Sequence, residues 1–140
     1  MRNDRLAKAA LEDAEIILQE ARDSLARGHY HRVVRKCQEA TELAVKGLFR
    51  HLGLEYPKWH VLGRLIRKEL ARFGLFERQE LVQMATICDR LAFDRAPSFY
   101  GAPDGTPASE LFDEEDAAEA LAGAEWVVER VKSVIADAVW

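Results

Sequence analysis

Near the C-terminal end of the chain Ala117, Leu121, Ala124, Val128, Val131, Ile135 and Ala138 follow one another at alternating steps of four and three. At 3.6 residues per turn that spacing puts all seven on one face of a helix, and an apolar seam of this length needs other helices to cover it. The start of the helix is marked by Asp113-Glu114-Glu115-Asp116, where a side-chain cap and negative charge both suit the free amide end. No stretch combines two-residue alternation with β-branched enrichment between turn residues, so strands are not expected.

The same period runs through the rest of the chain. Ala10, Ala14, Ile17, Ala21 and Leu25 form one apolar stripe that Gly28 ends, and Tyr30 is expected in the turn that follows. Val33, Cys37, Ala40, Ala44, Gly47 and Leu48 form a second, opposite Arg32, Arg35, Glu39, Glu42, Lys46 and Arg50. Glu42 and Lys46 have the favourable i,i+4 order. Gly53 and Pro57 stop this helix, Trp59-His60 lead into a shorter one through Leu62, Leu65, Ile66, Leu70 and Phe73, and Gly74 closes it. A fourth long helix is expected from about Glu77 to Phe93, with Leu81, Met84, Ala85, Cys88, Leu91 and Ala92 inward. The architecture implied is all-α: an antiparallel up-and-down bundle of four long helices plus one short helix.

A chain of 140 residues holds one domain, spanning 1–140. Its net charge of -4 argues against holding nucleic acid by bulk electrostatics, although a local basic patch could survive within that total. No apolar run is long enough to cross a bilayer, and the opening Met1-Arg2-Asn3-Asp4-Arg5 lacks a secretory core, so the expectation is a cytoplasmic protein without membrane contact. Cys37 and Cys88 sit among apolar residues without redox or zinc spacing and are expected as buried free thiols. His29, His31, His51 and His60 have no carboxylate or thiol at ligand spacing, and no cofactor or metal is expected. The segment from Ala96 to Ser109 carries three of the four prolines and is expected to be a loop. Its exposed part is expected to begin at Gly101, because Phe93, Phe99 and Tyr100 are costly to leave in water.

Taken in order, the opening helix to Gly28, Gln38-Glu39-Ala40-Thr41-Glu42-Leu43-Ala44-Val45-Lys46-Gly47-Leu48, Trp59-His60-Val61-Leu62, Phe93-Asp94-Arg95-Ala96-Pro97-Ser98-Phe99-Tyr100-Gly101 and Asp116 to Glu125 resemble a HEPN domain over nearly the whole chain. The resemblance implies a helical bundle that forms a homodimer, often beside a separate minimal nucleotidyltransferase chain in toxin–antitoxin systems. Many relatives of this kind cut RNA without metal, using an Arg followed four to six residues later by His near the end of the fourth helix.

Here the matching region offers Arg90 and Arg95, and neither is followed by His; Tyr100 stands where a His would complete the Arg95 motif. Attack by a ribose 2′-hydroxyl needs a proton acceptor near neutral pH, and tyrosine, titrating near 10 rather than about 6.5, is a poor one. No catalytic residue is therefore assigned. Arg90, Asp94, Arg95 and Tyr100 are the candidates for contact with a nucleotide or RNA, the arginines by phosphate and the ring by stacking. Plainer readings are a helix-end ion pair or carbonyl cap for Arg95 and Asp94 and a core aromatic for Tyr100, while His60 reads as a capping or packing residue at a helix start. The pair Arg22 and His29 has motif spacing but straddles a helix end in the wrong part of the chain.

The expected function is thus a non-catalytic dimeric module that binds a nucleotide, a nucleotidyltransferase partner, or both. A diverged ribonuclease toxin and a purely structural helical adaptor are the alternatives.

Overall fold

The structure, a computed structural model, describes residues 2–56 and 62–136, and these hold six helices. They are α1 (Arg2–Ala26), α2 (Tyr30–His51), α3 (Leu62–Glu69), which tightens into a 3-10 turn at Leu70–Phe73, α4 (Arg78–Tyr100), the single turn α5 (Ala108–Leu111) and α6 (Glu114–Ala136). Among the described residues there is no strand. The expected Trp59-His60 start of the third helix and Ala138 of the last seam lie outside the described residues.

Side-chain pairs fix the helix directions. Lys36 reaches Glu20 at 3.1 Å and His51 reaches Asp4 at 2.9 Å, so α2 runs antiparallel to α1. Arg22 pairs with Glu125 at 3.0 Å and Lys132 with Glu15 at 3.5 Å, which sets α6 against α1; Arg90 with Glu119 and Arg130 with Glu80 set α6 against α4 in the same sense. The four long helices therefore alternate up and down, as the periodicity implies.

Small residues bring α1 and α2 together. A Cβ on Gly47 would lie 3.2 Å from the Ala10 side chain, so the helices meet more closely there than a larger residue would allow. Helix α2 is the centre of the bundle, packed against α1, α4 and α6. Its residues Val33, Cys37, Ala40, Ala44, Val45, Leu48 and Phe49 are buried together with Met84 and Leu91 of α4 and Val127, Val131 and Ile135 of α6. Helices α4 and α6 each lie on α2 but touch each other only sparsely. The start of α6 has the cap its sequence announced: the Asp116 amide donates to the Asp113 carboxylate at 2.8 Å, and the Asp113 amide donates to the Asp116 carboxylate at 3.0 Å.

Helix α4 corrects three expectations. It continues past Phe93 to Tyr100, with Pro97 inside its last turn, so the loop is confined to the residues after it. Proline there removes the bond its N–H would have made to the Phe93 carbonyl and crowds that carbonyl with its ring, a cost confined to the last turn. The remaining end groups find partners: Ser98 Oγ donates to the Arg95 carbonyl at 2.7 Å and the Gly101 amide to the Pro97 carbonyl at 3.0 Å. The aromatic residues at this end are not buried. Phe93 is 80% exposed and Tyr100 86% exposed, and Ala92, expected inward, is exposed too. Tyr30, expected in a turn, is the first residue of α2.

Candidate functional site

At 100° per residue the four candidates from the sequence, although within eleven positions of one another, point in different directions from α4. Arg90 and Asp94 face α6. Arg95 lies toward the N-terminal end of α2, and Tyr100 belongs to an outward stripe that also carries Val82 and Phe93.

The α6 side is a groove of about 810 Å³ whose floor includes Val34 of α2, Ile87 and Leu91 of α4, and Ala120 and Gly123 of α6. Arg90 is tied there to Glu119, Nη1 to Oε1, at 2.6 Å. Asp94 is half-buried, and partial burial, with Asp116 adding to it and Arg90 opposing it, raises its carboxyl above the usual range. With Asp94, Asp116 and Glu119 lining the groove against one guanidinium, it does not favour a phosphate.

The end of α4 meets the start of α2 in a different environment. Arg35 donates from Nε to the Ser98 carbonyl at 2.6 Å and stacks its guanidinium 4.4 Å from the centre of the Phe99 ring. Arg95 approaches the same ring at 6.0 Å, so two arginines flank one aromatic. His31 is near enough to feel Arg35, Arg32 and His29: burial first, and then those charges, lower its pKa from the ordinary 6.5. No carboxylate lies within ion-pair distance of Arg32, Arg35 or Arg95 among the described residues. The first turn of α2 holds no acid, and its N-cap residue, His29, makes no side-chain cap. Cations thus gather at the positive end of a helix dipole, where acids would ordinarily sit.

Sequence reasoning missed Arg35, Arg32 and His31 as members of this cluster. The available signal was their spacing, 31 to 35 and 32 to 35, within a helical start free of acids. Among the described residues no group of three or more His, Cys, Asp or Glu side chains could hold a metal ion. Both cysteines are buried and unbridged; burial raises the Cys37 thiol to about 12 and pushes Cys88 up as well, so neither is a nucleophile near neutral pH. No described helix is long and apolar enough to cross a membrane.

The chain belongs to the HEPN domain family, whose model matches residues 7–134. Its fold is similar to that of TT1696 from Thermus thermophilus, with a TM-score of 0.73 and 27% identity over 91% of this chain and 96% of that one. It is also similar to ST0689, an archaeal HEPN homologue, with a TM-score of 0.70 and 28% identity over 92% of this chain and 97% of the other. A search of the curated proteins finds no match.

Proposed function

We propose that this HEPN domain is a non-catalytic, dimeric binding module whose basic end takes a nucleotide, with a minimal nucleotidyltransferase as its partner in a toxin–antitoxin type system. One observation carries the nucleotide reading: Arg35 and Arg95 flank Phe99 at the positive end of α2, with Arg32 close by, beside the exposed Tyr100 ring and without ion-paired carboxylates among the described residues. Phosphate suits the guanidiniums and the amide end of the helix, and a base can stack on the exposed ring. The homodimer is supported by the outward stripe of α4, where Val82 and Phe93 are large and uncovered.

Calorimetric titration with ATP at low salt tests the reading. Arg32→Ala with Arg95→Ala, which leaves the Arg35 bond to Ser98 in place, is expected to weaken binding at least tenfold. An unchanged affinity, or no binding at millimolar ATP, overturns it. Sedimentation of Phe93→Glu tests the dimer, which is expected to dissociate, and co-purification with the nucleotidyltransferase tests the partner.

The ribonuclease alternative keeps one observation in its favour. The candidate imidazole for that alternative is His31 of α2, near enough to Arg35, Arg32 and His29 for their charges, after burial, to lower its pKa. RNA cleavage that disappears in His31→Ala would favour that alternative over a binding module.

A further inference from the structure

We infer that the groove between α4 and α6 is a docking site, separate from the basic end, for a basic amphipathic helix of a partner protein. It runs from Gln83 to Asp94 on α4 and from Asp116 to Trp126 on α6, roughly 15 Å at 1.5 Å per residue, which matches two to three turns of helix. Two helices lying on a third with little mutual contact leave the seat that another helix fills in a bundle.

The floor is apolar and shallow where it needs to be. Gly123 and Ala120 carry little side chain, and a Cβ on Gly123 would come within 3.2 Å of Ile87, so α6 approaches α4 closely there and the Ile87 side chain closes the floor between them. An incoming helix would set leucine-sized residues against Ile87, Leu91 and Trp126 at i, i+3 or i+4, and i+7.

Charge selects the occupant. Asp94, Asp116 and Glu119 outnumber Arg90 at the groove, Arg90 is already paired with Glu119, and Glu114 and Glu115 extend the acidic character at the start of α6. Lysines or arginines flanking the apolar stripe would meet these carboxylates. They would also offset the Asp116 repulsion that contributes to raising the Asp94 carboxyl. The exposed Arg90–Glu119 pair is weak enough to open for an entering helix.

The test uses the full chain and two synthetic 14-residue peptides, one an amphipathic leucine/lysine helix and the other its leucine/glutamate counterpart. The lysine peptide is expected to bind at least tenfold more tightly and to shift the backbone NMR signals of Ile87, Leu91, Ala120 and Gly123. Asp94→Lys with Glu119→Lys, both partly or fully exposed positions, is expected to reverse the preference. Ala120→Phe, checked for folding by circular dichroism, is expected to abolish the shifts. Equal affinity for both peptides, shifts spread over the acidic surface, or binding unaltered in both variants overturns the inference. So does a dimer interface that maps onto Ala120 and Gly123 rather than onto the outer stripe of α4, because a second copy then occupies the groove. None of these outcomes depends on ATP binding, so failure here is distinguishable from failure at the basic end.

Discussion

Arg35 of α2 donates from Nε to the Ser98 carbonyl of α4 at 2.6 Å, closing from 63 positions away the helix end that Pro97 weakens. The bond is charge-assisted and partly buried, which places its loss at about 1.5 kcal/mol. Arg35→Ala is expected to lower unfolding stability in urea by that amount and to increase hydrogen exchange at the Gly101 amide. Arg35→Lys keeps a cation over Phe99 but not the planar fork, so it should recover less than half of the loss. A wild-type urea midpoint in Arg35→Ala would show that α4 closes without this contact.

The Thr41 hydroxyl is buried in α2 and has no hydrogen-bond partner among the described residues. An unpaired buried hydroxyl carries a desolvation cost that its near-isostere valine avoids. Thr41→Val is therefore expected to stabilise the domain by about 1 kcal/mol, read as a higher urea midpoint with an unchanged m-value. A loss of stability would mean that the hydroxyl is satisfied in solution.

Gly101 ends α4 at φ 82° and ψ -168°, a region that is essentially reserved for glycine. A side chain there would also press on the Thr106 carbonyl, which accepts from the Ala102 amide at 2.9 Å and holds the following loop closed. Because the obstacle is backbone, it cannot rotate away. Gly101→Ala is expected to cost about 2 kcal/mol and to expose residues 102–107 to proteolysis. Gly105→Ala, which has positive φ but open space around it, should cost less.

How far the sequence could be read depended on whether the deciding partner was local. The Asp113–Asp116 cap, the α6 seam and the Gly28 and Gly74 stops are settled by neighbours a few residues away, and all are found where the spacing puts them. The extension of α4 through Pro97 is met by the Arg35 bond to the Ser98 carbonyl, which no local pattern connects to it. The expectation that Phe93 and Tyr100 would be covered assumed that the chain's own core must take them, whereas both rings remain on the outer face of α4. For the candidate site, residue spacing alone could not show that Glu119 ties up Arg90 while Arg95 shares Phe99 with Arg35.

His31 provides a titration that reports on both the fold and the ligand. Burial, followed by Arg35, Arg32 and His29, lowers its pKa from 6.5, so just below that pH the unfolded chain binds a proton more readily than the native one. This contribution to stability is present above pH 6.5 and is lost as pH falls through 6.5 toward the folded midpoint. An NMR titration of the imidazole should give a midpoint below 6.5. Arg35→Met should raise it only partway, because burial is the larger cause. ATP at the basic end would bring negative charge beside the ring and raise the midpoint further. If ATP binds while the His31 midpoint stays fixed, the nucleotide sits elsewhere on the domain, and the assignment of Arg32, Arg35 and Arg95 to phosphate fails.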